Sequence, residues 1–391
     1  MCAPQLTAHC SWPVSFWYTA RRARSRRSRR HRNTISIGSC SALEGPSHSL
    51  GVETVTGAKA YFSLINDEGG LNGRKLKLIS YDDSYDPAKT ETCFNRLLSD
   101  RVFAMGFFVG TPTAVKYLPM AETNKIPLVG LFTGAQTLYA PLRHWVINVR
   151  ASYYDETREQ MDGVWDKLGY HKVGVIYPED AFGTAVLGGV TEALKTHGAE
   201  PVKVASYERQ TANVSAAIDT VRAANPQAVV LVGPPNTVAP ILKQSHAKGW
   251  KPLFLTVSFV GTDELITEAG DDAEGMVITQ VVPPYYLTDL KGVALYRRTL
   301  SKYAPSARPN FVSLEGFLNA KLLVAILQKM GPPFDRKRLK ETAESMGDLD
   351  LGIGVPVSFG KHRHQNIDPI HYAVVRDRRF EPLEDWKRWR G

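Results

Sequence analysis

The sequence predicts an α/β protein built from two similar lobes, each a parallel sheet with helices on both faces. Three observations carry this expectation. From Thr34 to Thr279, apolar runs of strand length alternate with segments of helical period, a rhythm that builds right-handed βαβ units. The runs end in loops of small hydroxyl-bearing and glycine residues, as in Gly110-Thr111-Pro112-Thr113 and Phe132-Thr133-Gly134-Ala135. At 391 residues the chain has enough material for two cores of ordinary size.

Thr34 to Ser39 reads as a strand running into the loop Ser41 to Gly51. Val52, Val55, Ala58, Phe62 and Ile65 then recur at helical steps until Gly69-Gly70 stops them. After the Asn72-Gly73 turn, Lys75 to Ile79 is a strand, and Asp86-Pro87 opens a helix carrying Phe94, Leu97 and Leu98. The apolar run Phe103 to Val109 leads into a further helix, with Thr111 expected as its cap and Pro112 at its first position. Ile126 to Val129 is the next apolar run. Beyond it, strands are expected over 145–149, 172–177, 202–207, 228–232 and 253–257, and helices over 155–168, 182–197, 214–224 and 237–248. The βα units fall in comparable numbers before Arg150 and between Ala151 and Thr279, which gives the two lobes. From Val281 the rhythm changes: Pro283-Pro284, a long helix near 311–330, a short one over 337–346, then strand-like pieces.

The net charge of +9 is concentrated, because residues 21–32 hold eight arginines and no acid. The remainder is close to neutral, so the basic balance does not point to a nucleic-acid partner. Trp12, Phe16, Trp17 and Tyr18 precede these arginines, the reverse of the order in a secretory leader. Residues 1–33 are therefore expected to be a disordered tail or a misassigned start. No run of 18 consecutive apolar residues suggests a membrane span. Outside that segment stand Cys40 and Cys93, which lack metal-ligand spacing and leave the redox compartment open. Lys361 and Arg363 flank His362 and His364 and would oppose a cation, so these histidines, with His371, are expected on a solvated loop or edge strand. Gly352-Ile353-Gly354 lacks the third glycine of a dinucleotide fingerprint, and no GxxxxGK[ST], HExxH or GxSxG occurs. No catalytic residue, cofactor or metal is expected. In an open α/β sheet, ligands bind beyond the carboxyl ends of the strands, so Thr111 and Thr133-Gly134 are expected to form one wall of a small-molecule site.

Gly45-Pro46 through Thr54, the stretch IND-EGG-LNGR (Ile65 to Arg74), YDDSYDP (Tyr81 to Pro87), VGTPTAV, FTGA, Phe182-Gly183 and GDDAEGM (Gly270 to Met276) resemble one family, in order and spacing. They are similar to the periplasmic solute-binding proteins of ABC importers, in the Leu/Ile/Val receptor group. The resemblance implies a type I periplasmic binding fold: two Rossmann-like lobes joined by a three-crossover hinge, closing on a ligand without catalysis. It places the crossings near Arg150, Val281 and Gly352, giving residues 34–149 plus 281–350 as one lobe and 150–280 plus 351–391 as the other. It also implies a periplasmic, monomeric receptor serving an ABC permease. The same body feeding a signalling or regulatory partner is the alternative.

Residue by residue, the resemblance puts the Thr111 hydroxyl on the ligand's carboxylate and backbone groups of Phe132, Thr133 and Gly134 beside it. Leu50 and Phe182 match positions that touch the ligand's side chain. Tyr153 and Tyr154 follow the first crossing, one of them expected to face the cleft. Where amino-acid receptors hold the ligand's ammonium with an acid, this chain has Ser258, followed by Phe259. Asp155, Glu179, Asp180 and Asp263 are the candidate substitutes. The expected ligand is a carboxylate, aromatic acid or amide with an apolar tail, with a branched-chain or other amino acid as the alternative. Positions that carry a disulfide in some members are Tyr85 and Gly110 here, so that staple is expected to be absent.

Overall fold

The computed structural model describes Met1 and residues 33–390 except 210, 212, 262 and 366–368. The expected tail thus lies almost wholly outside the described residues. Five strands form the first sheet: β1 (Thr34–Ser41), β2 (Lys75–Asp82), β3 (Ala104–Gly106), β4 (Leu128–Val129) and β5 (Val146–Ile147). Their order is β2-β1-β3-β4-β5 and every pairing is parallel. Successive side chains point to opposite faces of a strand. Ile37 and Ala104 accordingly feed one core while Cys40 and Met105 feed another, the two-sided burial that parallel sheets require.

Three helices make the crossovers: α1 (His48–Asp67), α2 (Pro87–Ser99) and α3 (Thr111–Asn124). The Asp86 carboxylate caps α2 by accepting from the amides of Ala88 and Lys89. At α3 the sequence reading is off by one residue. Gly110, at a φ of 93°, is the cap, Thr111 opens the helix, and no side chain caps it. Glycine is required at 110, since a Cβ there would lie 1.9 Å from the Tyr85 ring.

In the second lobe, β6 (Val173–Pro178), β7 (Lys203–Tyr207), β8 (Ala228–Leu231), β9 (Leu253–Thr256) and β10 (Val277–Gln280) are parallel. Their helices are α4 (Tyr153–Asp162), α5 (Ala181–Thr196), α6 (Ser215–Arg222), α7 (Pro235–Ala247) and α8 (Asp263–Ala269). Two later strands, β13 (His371–Arg376) and β14 (Arg379–Pro382), extend the sheet in antiparallel fashion, giving the order β14-β13-β10-β9-β8-β6-β7.

Between the two visits to this sheet the chain returns to the first lobe as α9 (Lys291–Tyr303), α10 (Phe311–Met330), α11 (Arg336–Glu344) and the hairpin β11 (Gly347–Asp350) to β12 (Pro356–Phe359). The long α10 has the length and apolar character of a membrane span, but it is mostly buried as the central helix of this lobe. It packs on α1 at two glycines. A Cβ on Gly57 would lie 1.9 Å from the Ser313 carbonyl oxygen, and one on Gly316 would lie 2.1 Å from that of Thr54. The residues from β11 to His364 stay with this lobe. The Leu351 carbonyl accepts from Lys321 Nζ at 2.8 Å, that of Gly352 from the Gly292 amide at 2.8 Å, and that of His364 from the Asn148 amide at 2.9 Å.

Tyr85 and Gly110 are in contact and form no staple, yet a disulfide does exist elsewhere. Cys40 of β1 is bonded to Cys93 of α2 with the Cα atoms 6.0 Å apart.

Candidate ligand site between the lobes

The loops after β3 and β4 bring together the two residues that the sequence placed on one wall. The hydroxyls of Thr111 and Thr133 are 2.7 Å apart and both side chains are buried. Thr133 Oγ1 also accepts from the Ala135 amide at 3.3 Å, so the Phe132-Thr133-Gly134 loop turns on its own side chain. The Gly134 carbonyl accepts from the Tyr153 amide at 2.7 Å, joining this wall to the first turn of α4. Tyr153 is fully buried; its hydroxyl lies near Thr133 without a well-formed hydrogen bond. Burial, the larger effect, pushes that phenol up to about 12, keeping it protonated. Tyr154 turns away and covers Gly188 of α5.

Across the cleft, β9 ends in a 3₁₀ turn, Ser258–Val260. This turn projects Phe259 into an aromatic cluster drawn from both lobes. Its ring centroid is 5.5 Å from Phe132 and 5.8 Å from Tyr85 on one side, and 4.6 Å from Phe182 on the other. Tyr153 packs on Phe182 at 5.3 Å, and Leu50 is buried in the same apolar cluster. Leu50, Thr111, Phe132, Thr133, Gly134, Tyr153, Phe182 and Ser258 are all buried, and all but Leu50 meet at this junction, Ser258 through Arg150.

Three charged residues at the junction were not anticipated. Arg150, in the segment between β5 and α4, is 1% exposed. Its Nη1 donates to Glu315 of α10 at 3.3 Å; its Nη2 donates to Glu156 of α4 at 3.4 Å and to Ser258 Oγ. The guanidinium also lies over the Phe132 ring at 5.1 Å. Glu156 collects bonds from the Ser258 amide at 2.7 Å, Ser258 Oγ at 2.8 Å and Thr279 Oγ1 at 2.7 Å. Burial opposes the charge on Arg150, but Glu315, Tyr153 and Glu156 outweigh it and raise its pKa. Burial pushes Glu315 up to about 7 against the pull of Arg150, and it raises Glu156 as well.

The acid facing Ser258 is therefore none of the four expected substitutes. Asp155 forms a capping box with Ser152, and Asp180 caps α5 through the amides of Phe182 and Gly183. Glu179 is exposed and bonds Ser206, while Asp263 opens α8 at the rim. Glu156 escaped notice because Tyr153, Glu156, Thr157 and Gln160 share the buried face of α4. A carboxylate at a core position of an otherwise regular helix was the available signal.

Side-chain contacts bridge the rim, among them Ser47 Oγ donating to Asn236 Oδ1 at 3.5 Å. Ser49 of α1 donates to Glu264 of α8. Arg209 pairs with Asp180 at 3.1 Å, donates to the Tyr85 carbonyl and covers that ring at 4.4 Å. His364 departs from expectation. It is buried and held between the Arg143 carbonyl and Glu344, both at 3.0 Å, whereas His362 is exposed as expected. Away from the cleft, Asp162, Asp166 and His197 present ligand atoms within 4.8 Å of one another. A cavity of about 360 Å³ lined by His246, Lys251 and Trp389 lies at the amino ends of β9 and β10, the edge opposite the loops that bind ligands in such sheets.

Residues 34–379 match the family described as periplasmic binding protein. The chain belongs to that family. The fold resembles the crystal structure of a possible leucine/isoleucine/valine-binding protein from Rhodopirellula baltica SH 1, at 31% identity and a TM-score of 0.88 over 92% of this chain and 98% of that one. A substrate-binding periplasmic protein from Ralstonia solanacearum matches at 28% identity and a TM-score of 0.82, covering 87% and 97%. Among relatives found by sequence, the Leu/Ile/Val-binding protein of Escherichia coli K12 is 23% identical over 63% of this chain and 67% of its own. The two-lobed architecture is thus that of a type I periplasmic binding protein, a family whose matched relatives are solute receptors.

Proposed function

We propose that this protein is the extracytoplasmic receptor of an ABC importer, holding a small amino-acid-like or carboxylate ligand between its lobes and handing it to a permease as a monomer. The observation that carries this reading is the division of the junction. Thr111, Thr133 and Phe132 come from the first lobe, Phe182, Ser258 and Phe259 from the second. Neither lobe alone offers more than half of the contacts, so a ligand that touches both favours the closed arrangement by its differential affinity. The Cys40–Cys93 disulfide agrees with an oxidising compartment outside the cytoplasm. We also propose that the first lobe extends beyond Gly352 to Gln365, which bridges to Asn148, so that the lobes are 34–149 with 281–365 and 150–280 with 371–390.

Solution scattering tests the reading. A thermal-shift screen over amino acids, aliphatic and aromatic acids and amides first identifies a stabilising ligand. That ligand is then expected to reduce the radius of gyration. An unchanged radius at saturation refutes hinge closure.

A further inference from the structure

We infer that Arg150 is the anion anchor and specificity determinant of the cleft, and that the ligand is an organic acid lacking an ammonium group. The inference rests on the cleft between the lobes being the ligand site, and it names the substrate class of that site.

Hydrogen-bond capacity at the junction leads to it. Glu156 accepts four bonds from the chain itself: Oε2 from the Ser258 amide and Thr279, Oε1 from Ser258 Oγ and Arg150. A carboxylate has about four lone-pair sites, so this one has none left for a ligand's N–H. The Ser258 hydroxyl spends its proton on Glu156 and accepts from Arg150. An incoming ammonium, three donors and no acceptor, would meet a saturated acid with a guanidinium lying against it.

Arg150 is the reverse case. A guanidinium carries five N–H donors, and three bonds are made, to Glu156, Ser258 and Glu315. Its Nε is buried without a partner on a side chain 1% exposed. An orphan donor at such depth costs free energy unless an acceptor reaches it. The Tyr153 ring centre lies 5.6 Å from the Arg150 guanidinium carbon, and its buried hydroxyl is also without a well-formed bond. Thr111 and Thr133 have two hydroxyl protons and one bond between them, so one more donor remains. Unspent donors around a permanent cation suit a carboxylate, and Phe132, Phe182 and Phe259 give its tail an apolar wall.

Glu315, which meets Arg150 directly, is a carboxylate of the junction with capacity to spare, and it supplies the rival outcome. Its hydrogen bond from Arg150 occupies Oε1, so an amino acid could place its ammonium on Oε2.

The test uses the full chain, stripped of co-purified ligand by reversible unfolding. Calorimetry compares 4-methylpentanoate, leucine and 3-methylbutylamine, which share a branched tail and differ in charged groups, with 3-phenylpropanoate and phenylalanine as the aromatic pair. Each acid is expected to bind at least tenfold tighter than its amino acid, and the amine not at all. Arg150→Lys keeps the charge and removes Nε–H. It is expected to weaken acid binding at least tenfold while the melting temperature stays within a few degrees of wild type. Because a buried lysine can unfold the junction, Tyr153→Phe serves as a second variant and is expected to weaken the acids severalfold with the fold intact. Tighter binding of leucine or phenylalanine, abolished by Glu315→Gln, overturns the inference and leaves the receptor reading standing. Acid binding unchanged in both Arg150→Lys and Tyr153→Phe overturns the role of Arg150. No binding of any of the five probes overturns both the inference and the present reading of the cleft.

Discussion

Thr111 is the residue whose role is easiest to isolate, because its hydroxyl touches Thr133 and its backbone merely opens α3. Thr111→Ala is expected to weaken ligand binding by about 1–3 kcal/mol, the usual loss when a hydrogen bond to a charged group is removed. Its melting temperature should stay near that of wild type. Unchanged affinity in calorimetry would show that this wall does not touch the ligand. The threonines were legible in the sequence because strand-end loops betray themselves by composition: Gly, Thr and Pro after an apolar run. Arg150, Glu156 and Glu315 were not legible. Arg150 and Glu315 are 165 residues apart, on different elements that meet only after both lobes have formed. Written in the chain, each looks like one more charge on a loop or helix surface. Asp155 is as plausible a substitute acid as its neighbour Glu156 in the sequence, because adjacent helical positions face directions about a quarter turn apart and only the packed structure says which is inward.

At the scale of elements, the alternation from β1 to β9 was readable, since period-2 and period-3.6 patterns follow from the geometry of each element. The elements that escaped were α8, β10 and α9, and of the closing strand-like pieces the antiparallel pairing to the second sheet. The sequence of α9, KGVALYRRTLSKY, buries only Val293, Tyr296, Leu300 and small neighbours beneath many basic side chains. The Cys40–Cys93 pair was equally hidden, because only the packing of α2 on β1 brings the two within bonding distance. The α1–α10 contact makes a sharper prediction. Gly57→Ala would place a methyl group against the backbone of α10, not against a side chain that can swing aside. Overpacking of this kind is expected to destabilise the protein by about 3 kcal/mol or more, read from the midpoint of a urea titration. Gly69→Ala, where nothing lies within 4 Å of the new atom, tests the method. It should cost only the strain of its positive φ of 104°.

For the whole molecule, the rim of the cleft links closure to pH. Glu53 of α1 is pushed up to about 8, chiefly by burial and then by Asp263 and Glu264 of α8 on the facing lobe. Ser49 and Glu264 hydrogen-bond across the same rim, and Arg308 is the cation that offsets Asp263. When the lobes part, Glu53 regains water and loses its two acidic neighbours, so its pKa falls toward the ordinary carboxylate value of about 4.5. The closed form then binds more protons than the open form between about pH 4.5 and 8. A state that binds more protons is disfavoured as protons are withdrawn. Closure, and with it ligand affinity, is therefore fully supported below that window and is lost as pH rises through it. The limit is about tenfold in affinity per pH unit for one proton. Glu315, raised to about 7, acts in the same direction if opening exposes it. Calorimetry from pH 5 to pH 8, repeated in two buffers of different ionisation enthalpy, should show tighter binding at the acid end and net proton uptake on binding. Glu53→Gln should remove most of the slope while keeping the acid-end affinity, because glutamine mimics the protonated side chain. A slope of the same size in Glu53→Gln would move the linkage from the rim to the Arg150 cluster. Affinity that rises with pH would contradict the arrangement of charges across the cleft.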